Sequence, residues 1–300
     1  MNQYYDDYED AEESFSKRKD RRKPKGKRSV KDLHVKKEQA KDSAQVFSEE
    51  SLQELFERGF LTEVLGELKS GKEATVYLAT GPQGLMAAKI YSDMTVRSFR
   101  NDQKYREGRY IADKRIKKAI DQRSLNGIAA QQAMWVYQEY MQLWELHNAG
   151  LPVPKPMVGP QSDDMIAAGR TVLMEFIGTE DYAAPRLSDV RLSPEEAQNA
   201  WEQSLDIMLR LLDMDKIHGD FSTYNLLWWQ GKVVVIDFPQ MIDIAESSQA
   251  LRILKQDVDS LCLSFKRHGI REDPKVVLRN IKARTTGEAA KEAMVKKVLL

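Results

Sequence analysis

Apolar positions along the chain fall into two rhythms, and each predicts a different kind of element. From Ser48 onward Leu52, Leu55, Phe56 and Phe60 recur at helical spacing, with Ser48 and Ser51 as candidate caps and Gly59 near the end, so a short amphipathic helix is predicted. Period two takes over where Ala74, Val76 and Leu78 alternate with Thr75, Tyr77 and Ala79. The cluster Gly81-Pro-Gln-Gly84 then marks a turn, and Leu85–Tyr91 returns as a second, antiparallel strand. A long helix is predicted over Ala129–His147, with Met134, Trp135, Leu143, Trp144 and Leu146 on its apolar side and a stop at Asn148-Ala-Gly150. Leu151-Pro-Val-Pro-Lys-Pro156 excludes helix and leads into strands at Pro156–Gly159 and Arg170–Glu175. A helix at Pro194–Met214 follows, with Ser193 as N-cap and Pro194 at the first helical position. After a glycine-turned apolar hairpin, Leu251, Leu254, Val258, Leu261 and Phe265 make Ala250–Lys266 amphipathic. The remainder reads as helical surface starting at Pro274 and a fraying tail.

Composition sharpens this picture at the two ends of the argument. With 300 residues and 42% apolar content the chain can bury a core without disulfide staples. Its lone cysteine, Cys262, fits a reducing compartment and a buried thiol without a role. The absence of any run of roughly 18 apolar residues, and an acidic start where a signal peptide would be basic, point to the cytoplasm and away from a membrane. Lys+Arg and Asp+Glu both number 46, yet the charges are segregated. Residues 1–16 are acidic and tyrosine-rich, and 17–41 carry Lys/Arg runs; neither has apolar periodicity, so 1–45 is expected to be disordered. The arm is either a solubilising tail or a surface for RNA or ribosomal particles. Residues 92–125 are again basic, with ten Lys or Arg between 97 and 123, and read either as a mobile loop near an anionic substrate or as a solvated insertion.

The chemistry concentrates in Ile217–Gln240. Asp220 can accept a proton or orient a nucleophile, while Asn225 and Asp237 offer the hard oxygen ligands that Mg2+ prefers. Upstream, Gly66-x4-Gly71-Lys72 nearly spells a P-loop, but Glu73 stands where the metal-binding hydroxyl belongs and a strand follows instead of a helix, so that reading fails. What remains is a turn at Ser70-Gly71 whose backbone could lie over phosphates, or an ordinary hairpin turn. Lys89 sits in an apolar strand, where a lone ammonium needs a carboxylate or a phosphate, and Glu139 in the long helix is the candidate partner.

Strand-turn-strand with Lys89, helix with Glu139, a glycine-ended hinge at Glu175–Gly178, then Asp220-x4-Asn225 and Asp237 is the order of the protein-kinase signature. More narrowly, the chain resembles the atypical RIO kinases, closest to their RIO1 branch. The resemblance is carried by Ser70-Gly-Lys-Glu-Ala74, Ala88-Lys-Ile-Tyr91, Lys104-Tyr-x-x-Gly108, Trp135-x-x-x-Glu139, Asn148–Pro154, Met174-Glu-Phe-Ile-Gly178, Ala184-Pro-Arg-Leu-x-Asp189, His218-x-Asp-x-Ser-x-Tyr-Asn225, Val235-Ile-Asp237 and Gln256-Asp-Val258. It implies an α+β, two-lobed kinase-like fold: an N-terminal lobe over 46–178 built on an antiparallel sheet, a mainly helical C-terminal lobe over 179–275, and a helical tail over 276–300. It also implies the cofactors ATP and Mg2+, or Mn2+ in its place. Ser70, Gly71 and Lys72 would cover the triphosphate, Lys89 oriented by Glu139 would touch the α- and β-phosphates, and backbone at Glu175 and Ile177 would hold the adenine. Asp220 would be the catalytic carboxylate, with Asn225 and Asp237 on the metal. By the same resemblance Asp237 could itself carry a phosphoryl group.

Departures from conventional kinases matter as well. Gly219 stands where an Arg would bind an activation-loop phosphate, Phe238-Pro239 replaces Phe-Gly, and no Ala-Pro-Glu follows. Autophosphorylation, a folded protein partner or ATP turnover are therefore expected in place of a peptide groove. Two competing readings stand beside the kinase: a small-molecule phosphotransferase of the aminoglycoside or choline type, which shares His218-Gly-Asp220-x4-Asn225, and a non-catalytic assembly factor contacting ribosomal RNA through 17–41 and 97–123. His218 is expected to hold the catalytic turn and not to carry a proton.

Overall fold

A computed structural model describes residues 47, 49–71, 74–92 and 125–296, with backbone course alone for 125–135 and 294–296. The expected tail over 1–45, the basic segment 97–123, Lys72, the Ser48 cap and the Met134 and Trp135 side chains lie outside the described residues.

The chain opens with α1 (Glu50–Glu57) and a sheet of β1 (Glu63–Ser70), β2 (Ala74–Gly81), β3 (Gly84–Tyr91) and β4 (Thr171–Glu175), antiparallel throughout in the order β1-β2-β3-β4. The predicted strand pair is thus the middle of a larger sheet. β3 is one of its two inner strands, and Met86–Tyr91 are all buried, which explains an apolar run in place of alternation. The N-cap of α1 is Glu49 and no side chain bonds there; Ser51 instead lies inside the helix, buried, its hydroxyl 2.7 Å from that of Thr171. Glu49 pairs with Arg170, so α1 is fastened to the start of β4. The strand expected at Pro156–Gly159 shrinks to a bridge from Pro156 to Met174. Proline has no N–H to extend a ladder, and a turn at Gly159, with φ of 97°, follows at once.

Between the third and fourth strands runs α2 (Leu125–Asn148), with α3 (Ser162–Ala167) after it. Val136 and Tyr140 of α2 pack into the sheet core with Leu52, Leu55, Ala88 and Val172, whereas Leu143 and Leu146 belong to a second core built on the C-terminal helices. One helix therefore spans both lobes. The Tyr140 hydroxyl donates to the Thr171 carbonyl at 3.1 Å and accepts from Leu173 N–H at 2.7 Å, fixing β4 against it.

The C-terminal lobe holds α4 (Pro194–Asp213), the short strands β5 (Lys216–Ile217) and β8 (Ile242–Asp243), the hairpin β6 (Leu226–Trp229) and β7 (Lys232–Val235), then α5 (Ala250–Phe265), α6 (Pro274–Arg284) and α7 (Glu288–Lys296). α4 starts as its sequence implies: Ser193 and Glu196 form a capping box ahead of Pro194. Gln230 and Gly231, with φ of 50° and 76°, give the hairpin the two left-handed positions that a tight turn between twisted strands requires. Beyond Pro274 the chain is more than surface, since Val277, Ile281 and Ala290 are buried against the core of Trp201, Phe221, Phe238 and Phe265. Among the described residues no helix is long and apolar enough to cross a membrane.

Candidate active site

The groups singled out in the sequence converge between the lobes. β3 delivers Lys89 and α2 delivers Glu139, and their ammonium and carboxylate meet at 2.7 Å. The same Nζ reaches Asp237 Oδ1 at 2.8 Å, so a single lysine joins the sheet, the long helix and the end of the β7 strand. Tyr91, two positions along β3, donates its hydroxyl to the other oxygen of Glu139, and its ring lies 4.8 Å below the ammonium. Burial disfavours the charged form of Lys89, but Asp237 and Glu139 outweigh it and its pKa stands well above the ordinary value.

Asp237 follows β7 with φ of 75°, an unusual conformation for a residue other than glycine. Its side chain is 45% exposed toward the cleft. Partial desolvation raises its pKa; the charge and hydrogen bond of Lys89, then His218 and Arg186, overcome this and hold it below the usual carboxylate range. Asn225 donates through Nδ2 to the Asp220 carbonyl at 2.9 Å and to its carboxylate at 3.0 Å. With the amide nitrogen so occupied, Asn225 Oδ1 is the acceptor that this side chain has left. Ile236 N–H donates to the Asn225 carbonyl at 2.9 Å, so the Asp220 loop and the approach to Asp237 are sewn together.

The turn carrying Asp220 is held from beneath by a residue without an assigned role in the sequence reading. Asp257 of α5, 3% exposed, accepts from Gly219 N–H at 2.8 Å and from Phe221 N–H at 3.1 Å. A carboxylate at an inward helix position within Gln256-Asp-Val258 was the available signal. Gly219 itself has φ of 82°, and a Cβ there would lie 2.4 Å from the Gln240 carbonyl, so the backbone excludes an Arg as well as any other side chain. His218 is buried between Phe221 and Phe238, and Asp220 N–H donates to its Nδ1 at 3.4 Å. Burial takes its pKa down to about 4 against the opposing pull of Asp237, so the imidazole is neutral near pH 7, as a structural role requires.

The remaining expected residues that the structure describes lie at the end of β1, at the end of β4 and just beyond each. Glu175 ends β4, its N–H bonded to the Lys155 carbonyl at 2.8 Å, and the Ile177 carbonyl accepts from Ala184 N–H at 2.8 Å. Ser70 ends β1 and is exposed; Gly71 N–H closes the turn by donating to the Ala74 carbonyl at 2.9 Å, so that donor is engaged by the hairpin. A second tie between the lobes was not foreseen: buried Lys216 pairs with Asp243 at 2.7 Å and with Glu145 of α2 at 3.0 Å. Downstream of Asp237, residues 238–249 are used up by β8, which pairs with β5, and a short 3-10 turn before α5. A long activation segment has no place in that connection. Among the described residues there is no cluster of three or more His, Cys, Asp or Glu able to cage a metal.

A RIO domain model matches residues 75–277. The chain is 32% identical to the RIO-type serine/threonine-protein kinase Rio1 of Thermoplasma acidophilum over 209 residues, covering 69% of this chain and 98% of that protein. It is also 32% identical to the Rio1 of Haloferax volcanii, with 88% and 84% covered. The serine/threonine-protein kinase RIO1 of Caenorhabditis elegans is 30% identical, but the chain spans only 40% of its length. Among solved structures, the Rio2 kinase-ADP/Mg2+-phosphoaspartate complex from Chaetomium thermophilum shares the fold, with a TM-score of 0.56 at 18% identity over 89% of this chain and 77% of that one. The chain therefore belongs to the RIO domain family of kinases, on its RIO1 branch.

Proposed function

We propose that the chain is an ATP-dependent serine/threonine kinase that uses Mg2+ and transfers the γ-phosphoryl group to a hydroxyl of its own or of a folded protein partner. The observation that carries this reading is the Glu139–Lys89–Asp237 chain of contacts at 2.7 and 2.8 Å, which brings a buried cation and an outward carboxylate to the mouth between the lobes. Lys89, fixed by Glu139 and Tyr91, neutralises the α- and β-phosphates. Ser70 and Gly71, with Lys72 beyond the described residues, form the lip above them, and the Glu175 carbonyl and Ile177 N–H meet the adenine edge. Asn225 Oδ1 and the Asp237 carboxylate are hard oxygen donors that fit Mg2+, whose charge, when bound, offsets that developing on the transferring oxygens. Asp220, oriented by Asn225 and by the turn resting on Asp257, aligns the acceptor hydroxyl and takes its proton. Phosphoryl transfer asks for little else from the protein, because positioning and charge carry most of the acceleration.

A second reading makes Asp237 the acceptor in an ATPase-type switch: a carboxylate oxygen attacks the γ-phosphorus, ADP leaves, and water hydrolyses the acyl phosphate. Its support is the exposure of an anionic carboxylate at the cleft. A role in maturation of the small ribosomal subunit, with contacts through 17–41 and 97–123, rests on charge alone. Salt-dependent co-sedimentation with ribosomal particles that is lost on deleting 1–45 and neutralising 97–123 tests it. For the chemistry, incubation with γ-labelled ATP and Mg2+ followed by mapping of the label decides. Acid-stable label on Ser or Thr supports the kinase, and hydroxylamine-labile label on Asp237 supports the switch. Turnover that survives both Asp220→Ala and Asp237→Ala in folded protein rejects the two together, and strong acceleration by one small metabolite points to the phosphotransferase instead.

A further inference from the structure

The segment that links the hinge to α4 is built more firmly than a connection needs to be. Trp228 N–H donates to the Pro185 carbonyl at 2.9 Å, Leu187 N–H to the Leu226 carbonyl at 2.8 Å and Ser188 N–H to the Thr223 carbonyl at 3.0 Å, while Arg186 bridges Leu227. Residues 185–188 thus run as an added edge along β6, the strand that starts beside Asn225. The same segment is held from the C-terminal lobe, where Arg267 donates to the Ser188 carbonyl and His268 Nε2 lies 2.8 Å from the Leu187 carbonyl. The backbone beneath Arg186 is therefore fixed relative to Asn225 and Asp237.

The Arg186 side chain is half-buried, and among the described residues no hydrogen bond or ion pair engages its guanidinium. The acidic groups whose charge it feels are Asp237 and Asp189. Asp189 takes the Ser188 hydroxyl at 3.1 Å, and Asp237 is already bonded to Lys89. Lys89 is in turn matched by Glu139. The guanidinium thus brings a positive charge with no bonded partner among the described residues beside the metal-facing carboxylate, on a side chain that cannot lose its proton and that has been partly stripped of water. A planar fork of N–H donors in that position suits the non-bridging oxygens of a phosphoryl group.

We infer that Arg186 is a further binding residue of this site: from the C-terminal lobe, across from Lys89, its guanidinium takes the terminal phosphoryl group of the nucleotide and holds it through transfer. This rests on the kinase reading above. In the step itself the bond from the γ-phosphorus to the bridging oxygen breaks with its electron pair going to ADP, and the bond to the acceptor oxygen forms as its proton passes to Asp220. Arg186 makes and breaks no covalent bond, and its donors stay on the oxygens that are not exchanged.

The test compares Mg-ADP with the Mg complex of adenylyl imidodiphosphate, a non-hydrolysable triphosphate, on the full chain by titration calorimetry, together with kcat for ATP turnover. In Arg186→Gln the triphosphate affinity falls about tenfold or more, the ADP affinity stays within about twofold of wild type, and kcat falls about a hundredfold. Arg186→Lys, which keeps the charge and loses the fork, lies between. Equal losses for both nucleotides, or a Gln variant with wild-type discrimination and rate, overturn the inference. If thermal melting shows the Gln variant unfolded, a Lys variant with wild-type discrimination and rate does the same. Failure of the wild-type chain to bind either nucleotide refutes the kinase reading first, and Arg186 with it.

Discussion

Replacing Asp257 with Ala removes the acceptor for two backbone N–H groups at once, those of Gly219 and Phe221 on either side of Asp220. Each buried donor left without a partner costs about 1–3 kcal/mol, so the variant loses about 2–6 kcal/mol of stability. The turn relaxes and Asp220 moves, while Lys89 and the hinge are untouched, so kcat falls further than nucleotide affinity does. Asp257→Asn separates geometry from charge. Burial, helped by the charge of Asp220 and opposed by the two N–H groups, pushes the Asp257 carboxyl up to about 7 from the ordinary 3.8. A raised value means that the folded protein holds this proton more tightly than the unfolded chain. The associated stability is complete below pH 3.8 and is lost as pH rises through about 7, a difference on the order of 4 kcal/mol. The Asn variant has no such proton, so its stability changes less across that window. Urea unfolding at about pH 5 and about pH 8, with ATP turnover measured alongside, gives both readouts. Parallel pH curves for wild type and Asn, or an Ala variant with wild-type stability and kcat, refute the reasoning.

Three other substitutions probe the frame around the site. Lys89→Met strands Glu139, only 2% exposed, and is expected to destabilise by about 3–5 kcal/mol while abolishing turnover, as melting curves and ATP hydrolysis together will show. Gly219→Ala puts a Cβ 2.4 Å from the Gln240 carbonyl at a positive φ, which costs about 1–3 kcal/mol in strain and displaces Asp220; chemical denaturation and kcat at saturating ATP check it. Tyr140→Phe leaves the Leu173 N–H and the Thr171 carbonyl unmet in the sheet core, so a loss of about 2–6 kcal/mol is expected by denaturation, with KM for ATP near wild type.

Legibility in the sequence followed how each residue is held. The amphipathic helices α4 and α5 and the β6-β7 hairpin are visible because burial on one face, a capping box or a two-residue turn leaves a local pattern. β1 leaves almost none: of Glu63–Ser70 only Val64 is buried, two register shifts interrupt its pairing, and main-chain bonds to β2 do the rest. α3 is too short for a helical period to declare itself. In the site, the Lys89–Glu139 pair could be anticipated because a lone ammonium in an apolar strand demands a carboxylate. Asp257 and Lys216 could not be assigned in the same way, since their partners come from elements remote in sequence, and nothing local says that an Asp in a helix faces a turn more than thirty positions earlier.

The position of α2 bears on regulation. In a kinase that is switched by displacing the helix bearing its Glu, that helix must part from the lower lobe at modest cost. Here Leu143 and Leu146 of α2 are buried in the C-terminal core, Glu145 pairs with Lys216, and Gln142 donates to the Met241 carbonyl at 3.5 Å. Exposing the two leucines alone costs about 3–6 kcal/mol. That disfavours a helix-out state by more than about a hundredfold before the polar ties are broken. The short connection from Asp237 to α5 likewise supplies no activation segment to offset such a cost. Glu139 is therefore held on Lys89 by the core itself, and control of the reaction falls to what enters the cleft, nucleotide and acceptor, and not to a swing of the helix.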